Sequence, residues 1–314
     1  MNRLVIALIM GLIIFLIVPY LYIPSIIRKS MIAIAPAAPS AAQVALLDES
    51  HWKNWWPYYE ADSSKPNNGT YYYNGHPFRA GKKFVSGIEL ISDHAGDSTK
   101  GLLLFIPHGK DSVRITWELV VNAGKDPITR MLRNKRSKQL QKDMSVILQK
   151  IATYVSNPEN IYGIKVEHRR LSDSLLLMTR TNLPHDPTLT DVYNMASTLQ
   201  QYAAKTGATV ANAPMLHVRQ TDRNEVEVMV ALPINKVVNG AGRVEFKRMY
   251  PGNVLITEIQ GGPYTINKAF QQLQQYAYDN QYTSPAIPFE SLVTDRTKEA
   301  DTTKWITRIY YPVF

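Results

Sequence analysis

Residues 189–207, LTDVYNMASTLQQYAAKTG, and residues 264–280, YTINKAFQQLQQYAYDN, share the pentapeptide LQQYA at 199–203 and 273–277. With the two copies in register, the chain downstream keeps matching. Pro214 falls on Pro288 and Leu216 on Glu290. After a one-residue shift, Thr221-Asp222-Arg223 meets Thr294-Asp295-Arg296, and a strand carrying Pro233 meets one carrying Pro312. Landmarks repeated in one order mark an internal duplication.

Each copy reads as βαββ. In the first, SLLLMTRT is a strand, the helix carries Val192, Met195, Leu199 and Tyr202 on one face, and APMLHVRQT and EVEVMVALPI are strands. In the second, GNVLITEIQ is a strand, the helix face is Ile266, Ala269, Phe270, Leu273 and Tyr276/Ala277, and IPFESLVT and WITRIYYPV are strands. Recurrence near 3.6 residues gives the helices, and short β-branched or aromatic runs give the strands. Neither unit buries its helix alone. Side by side, they predict an antiparallel sheet with two helices on one face and a groove between pseudo-symmetric halves.

The second copy resembles the GyrI-like domain, the effector-binding module of AraC- and MerR-type regulators. The resemblance is carried by Pro251-Gly252 before a strand, by GGPY at 261–264, by PFE at 288–290 and by the final IYYPV. It extends more loosely over the first copy, so it covers 171–314. It implies a groove for amphipathic, often cationic or aromatic, small molecules, with a buried carboxylate at Glu290. The residues point the same way, because Glu290 lies in the apolar run IPFESLV where its duplicate is Leu216. A carboxylate there is costly unless paired or solvated in a groove, and burial would perturb its titration. The plainer alternatives are a solvent-facing Glu290, or one paired with Arg296 or Arg308. The candidate ligand-binding set is Glu290, Tyr264, Tyr250, Trp305 and Tyr310, with Tyr264 as partner of Glu290. Neighbouring strand residues face opposite ways, so at most one of Phe289 and Glu290 lines the groove, and the same holds for Tyr310 and Tyr311.

Upstream, residues 30–170 open with SMIAIAP as a strand. Short helices follow, ending in an aromatic cluster of Trp52, Trp55, Trp56, Tyr58 and Tyr59. Strand-like runs broken by turns such as Asn74-Gly75 come next. A long amphipathic helix with Leu132, Leu140, Met144, Ile147, Leu148, Ile151 and Val155 closes the segment. The opening strand, HWKNWWP, TWELVV and the closing helix resemble the SRPBCC superfamily, the START-like or polyketide-cyclase-like helix-grip fold. That resemblance implies an apolar cavity between sheet and helix. The tryptophans would line the cavity or form plain core. Arg130, Arg133, Lys135, Arg136, Lys138 and Lys142 make a basic stretch, read as a solvated helix face or as a phosphate-attracting one.

The segment from Leu4 to Ile27 carries no charge and is followed by Arg28-Lys29. It is long enough to span a bilayer, which needs about 20 mostly apolar residues. It reads as an uncleaved anchor in preference to a signal peptide, single-pass in a bacterial inner membrane. The expected organisation is α+β: anchor 1–29, helix-grip-like domain 30–170, and a GyrI-like domain 171–314 split at about 240. Residues 28–170 hold 21 Lys/Arg against 13 Asp/Glu, while 171–314 hold 13 of each, so the composition breaks near 170.

The chain has no cysteine, which excludes disulfides and thiolate chemistry. No histidine spacing suits a metal, and no nucleotide or serine-hydrolase motif occurs, so neither metal nor cofactor is expected. Nothing reads as a DNA-binding helix-turn-helix, and no nucleic-acid partner is expected. The leading reading is a membrane-anchored small-molecule-binding or sensing protein. The alternative is a hydrolase with Glu290 as acid/base and Tyr264 beside it. Haem binding, or lipid handling by the first segment, are the remaining readings.

Overall fold

The computed structural model describes residues 3–57, 69–94, 97–109, 111–172, 174–221 and 224–314, with only the backbone described at 3–6, 9, 94 and 97. Tyr58, Tyr59, Asp222 and Arg223 lie outside the described residues. The chain divides into two compact units, Met1–Ile161 and Tyr162–Phe314. Both are α+β units with an antiparallel sheet, and the composition break near 170 falls inside the second.

The first unit begins with helix α1 (Arg3–Tyr22). Its described side chains are apolar and, apart from Pro19, exposed, from Leu8 and Leu12 to Phe15, Leu21 and Tyr22. Among the described residues no helix is long and apolar enough to cross a membrane. Strand β1 (Ile26–Ala35), helices α2 (Pro39–Leu47) and α3 (Trp52–Trp55), and strands β2 (Thr70–Tyr73), β3 (His76–Phe84), β4 (Gly87–His94), β5 (Asp97–Pro107) and β6 (Val113–Asn122) follow. Helix α4 (Pro127–Val155) comes next, and α5 (Pro158–Tyr162) bridges to the second unit's chain. The sheet order is β1-β6-β5-β4-β3-β2. Asn74 and Gly75 have φ of 49° and 76°, which suits the left-handed turn of the β2–β3 hairpin.

Trp52, Trp55 and Trp56 are core residues. Their indole N–H groups donate to the carbonyls of Leu46, Ala45 and Tyr72 at 2.9–3.0 Å. They join Tyr71, Phe78 and Trp117, and Leu140, Met144, Ile147 and Ile151 of α4, in one continuous hydrophobic cluster. The space where the resemblance implies an apolar cavity is therefore occupied by packed side chains. Leu132, expected on the buried face of α4, is exposed.

The basic stretch divides by helical phase. Arg130 turns inward and lies over the Tyr20 ring at 4.6 Å, tying the foot of α1 to α4. Arg133 and Arg136 line a cavity of about 190 Å³ with Ser98, Thr99 and Ser137. Lys135, Lys138 and Lys142 face solvent. A buried carboxylate, Asp143, accepts from His76 Nδ1 at 2.7 Å, Asn74 Nδ2 at 2.9 Å and Gln139 Nε2 at 3.1 Å. It fastens the β2–β3 turn to α4.

The second unit contains β7 (Glu167–Leu171), β8 (Ser174–Leu183), α6 (Leu189–Lys205), β9 (Met215–Gln220), β10 (Val226–Ile234), β11 (Glu245–Met249), β12 (Gly252–Gln260), α7 (Pro263–Asp279), β13 (Phe289–Leu292) and β14 (Ile306–Val313). Helices α6 and α7 are both 17 residues long and their bounds differ by the same offset as the two LQQYA copies. They bury matching residues: Val192, Leu199 and Ala203 in one, Ile266, Leu273 and Ala277 in the other. The strand order is β11-β8-β10-β9-β13-β14-β12-β7. β9 and β13 meet at its centre, pairing Leu216 with Glu290 and Met215 with Ser291. The duplicated positions are thus direct cross-strand partners, as a two-fold axis between antiparallel strands requires.

Two strands go beyond the βαββ expectation. β7 leads into β8 but pairs with β12, while β11 leads into β12 but pairs with β8. One register runs through both pairings, from Glu167 opposite Ile256 to Met178 opposite Glu245. Each repeat thereby lends its leading strand to the other.

Candidate ligand-binding site

Strand registry fixes which side chains share a face. Glu290 lies opposite Leu216 on one side and Ile309 on the other. Leu216 in turn lies opposite Val230, which packs in the hydrophobic cluster under α6. Ile309 lies opposite Thr257, and Tyr311, two residues on, meets Phe270 of α7 edge-on at 6.4 Å. Since residues opposite one another share a face and alternate along each strand, Glu290 is on the face that carries both helices. Helix α6 packs on β8 and β10, and α7 on β12 and β14. The central strands β9 and β13 lie between the strands that carry the two helices, with Glu290 on that same face.

The carboxylate is not alone. Arg296, in the loop after β13, brings Nη2 to 3.7 Å from Glu290 Oε2. The side chains are 22% exposed for Glu290 and 7% for Arg296. Arg296 Nη2 also donates to Thr307 Oγ1 at 2.8 Å, and the guanidinium lies 4.7 Å over the Trp305 ring. The Arg296 backbone N–H donates to the Tyr193 hydroxyl of α6 at 2.8 Å, linking the first repeat's helix to the second repeat's loop. Trp305 is held by its own N–H on the Glu299 carbonyl at 2.9 Å. Burial pushes the Glu290 carboxyl above its ordinary range, and the Arg296 charge offsets part of that rise. Burial likewise raises the Tyr193 hydroxyl.

The predicted residues separate. Glu290 and Trp305 both meet Arg296 and so belong to one constellation. Tyr310 does not: it pairs with Phe289 on the opposite face, their rings stacked at 4.8 Å. Tyr250 is 77% exposed and lines a cavity of about 390 Å³ with Phe289, Ile287, Pro312 and Phe314. Tyr264 is 81% exposed in the first turn of α7, and among the described residues no hydrogen bond joins it to Glu290. Arg308 turns away and pairs with Glu258 at 2.7 Å. The site therefore comprises Glu290, Arg296, Trp305, Thr307 and Tyr193. Arg296 carried a signal, the repeated Thr-Asp-Arg. Tyr193 carried none, because only the fold brings α6 to that loop. Among the described residues no group of three or more His, Asp or Glu could hold a metal.

No family model matches this chain, and no curated protein matches it. Solved structures do. The EcmrR C-terminal domain is similar at 17% identity and a TM-score of 0.42, over 48% of this chain and 98% of that one. A hydrolase from Listeria innocua is similar at 14% identity and 0.39, over 48% and 92%. SAV2435 bound to tetraphenylphosphonium is similar at 14% and 0.33, over 48% and 94%.

Proposed function

We propose that this chain is a small-molecule-binding protein whose second unit takes an amphipathic ligand in the groove between α6 and α7. The observation that carries the reading is a mostly buried carboxylate, Glu290, set between Leu216 and Ile309 on the helix-bearing face and paired there with Arg296. The plainer alternative, pairing with Arg296, is realised, and because a buried ion pair is seldom a net gain in stability the pair points to recognition. The GyrI-like resemblance of 171–314 agrees with it. The first unit's strand order and long closing helix support a helix-grip assignment for that half, in a structural role. The exposed apolar helix α1 supports attachment to a membrane. The hydrolase reading lacks its second group, since Tyr264 stands exposed and unjoined to Glu290.

The test uses the full chain in detergent, labelled with 5-fluorotryptophan. Trp305 is the only tryptophan of the second unit, so its ¹⁹F signal reports on the groove. Titration with triphenylmethanol and with tetraphenylphosphonium is expected to give a saturable shift from at least one of them. Leu216→Trp, which fills the groove floor, is expected to abolish it. A shift unaffected by that substitution would move the ligand elsewhere, and no shift from either compound would reject the reading. Membrane attachment is checked by fractionation: deletion of residues 1–22 should release the protein from the membrane pellet.

A further inference from the structure

Arg296 stands where the charge of a cationic ligand would have to stand. It is more buried than the carboxylate it faces, and separate elements hold it: Thr307 of β14 by a hydrogen bond, Trp305 by its ring, and Tyr193 of α6 through the backbone. A surface arginine that merely visits a carboxylate has no such frame. At 3.7 Å the pair is longer than a direct hydrogen bond and acts chiefly through charge. The Glu290 oxygens, on the more exposed partner, keep acceptor capacity for a donor arriving from the groove.

We propose that Arg296 is a resident counter-ion that sets the ligand class of this groove: uncharged amphipaths bearing a hydroxyl or amide donor are accepted, and permanent lipophilic cations are discriminated against. The inference rests on the groove-binding reading above. A cation placed against Glu290 comes within a few ångströms of the guanidinium as well. Attraction and repulsion between unit charges at similar distances largely cancel. Expelling Arg296 instead would break its bond to Thr307 and its contact with Trp305, leaving a guanidinium to be re-seated. A neutral molecule with one donor avoids both costs. It can reach a Glu290 oxygen, the more exposed side of the pair, without displacing Arg296.

The experiment compares two probes of similar size, neutral triphenylmethanol and tetraphenylphosphonium, by the ¹⁹F signal of Trp305 in the full chain. Wild type is expected to bind triphenylmethanol at least about tenfold more tightly. Arg296→Met is expected to tighten tetraphenylphosphonium by about tenfold or more and reverse the order, while Arg296→Lys keeps the wild-type order. Should Arg296→Met fail to fold, the wild-type order and the lysine variant carry the test. Equal affinities in wild type, or an unchanged ratio in Arg296→Met, would overturn the counter-ion role and leave the groove standing. Binding of neither probe would overturn both.

Discussion

The Glu290–Arg296 pair predicts an asymmetry in stability. At 3.7 Å and an effective dielectric near 20, the attraction is about 4.5 kcal/mol. Removing the arginine cannot cost that much, because the carboxyl has an escape. Protonating a group whose ordinary value is 4.5 costs about 3.4 kcal/mol at pH 7 and about 0.7 kcal/mol at pH 5. Arg296→Met should therefore cost at most about 3.4 kcal/mol at pH 7 from electrostatics, plus about 1 kcal/mol for the lost Thr307 bond. At pH 5 the total should fall to about 1–2 kcal/mol. Glu290→Gln is different. Arg296 cannot shed its charge, so removing the carboxylate strands a buried guanidinium that keeps only Thr307 and the Trp305 ring as partners. It should cost about 3 kcal/mol at pH 7, with no protonation of the remaining partner to relieve it.

The sign follows from linkage. A carboxyl raised in the folded state lends its full stability below its unfolded value and loses it as pH rises through the folded one. The Arg296→Met penalty must therefore grow from pH 5 to pH 7. The double variant, with no carboxylate left to strand, should recover to within about 1 kcal/mol of wild type. Urea unfolding followed on the Trp305 ¹⁹F signal at both pH values measures all four proteins. A pH-independent penalty for Arg296→Met, or a double variant no more stable than either single one, would refute the reasoning.

Other consequences are simpler. Leu199→Ala and Leu273→Ala remove equivalent, fully buried side chains, and each should cost about 2–5 kcal/mol; a difference beyond about 1.5 kcal/mol in urea unfolding would mean that the repeats pack their helices unequally. Asp143→Ala strips His76, Asn74 and Gln139 of their common acceptor and should cost the first unit about 3 kcal/mol; unchanged unfolding of the four tryptophans of that unit would remove its role as a staple. Gly101→Ala would set a Cβ 2.5 Å from the buried Trp117 Nε1 and 3.0 Å from the Glu118 carbonyl, so it should cost about 1–3 kcal/mol; a wild-type melting midpoint would show that the indole can retreat.

Much of the fold was legible because its signals are local. The apolar period of 189–205 and 263–279 marks two amphipathic helices without any tertiary knowledge. Turn residues such as Asn74-Gly75 mark a hairpin in the same way. Strands β7 and β11 were not legible as elements of the repeat, since EHRRL and EFKRM show little alternation and each pairs with a strand of the other copy. The site was legible at Glu290, where a charge interrupts an apolar run. It was not legible at Tyr310, because alternation says only that Tyr310 and Tyr311 differ in face. Deciding which one faces the groove needs the register that sets Glu290 against Ile309. Tyr264 was placed beside Glu290 on chain order, and its exposure shows that order alone does not bring a helix's first turn onto the groove floor.

The duplication itself explains why the two-fold position carries one carboxylate. A two-fold axis between β9 and β13 makes equivalent positions face each other, as Leu216 and Glu290 do. An exact repeat would put two leucines or two glutamates there. Two leucines would leave no polar anchor. Two carboxylates directly across a strand pair would repel, and one would be forced to hold a proton. Divergence at this single pair is thus the least change that gives the two-fold position a single charge, and one arginine suffices to balance it. Arg296 reaches Glu290 from the second repeat's own loop, while Tyr193 of the first repeat's helix fixes that loop's backbone. The constellation draws on both copies, and it exists because they differ.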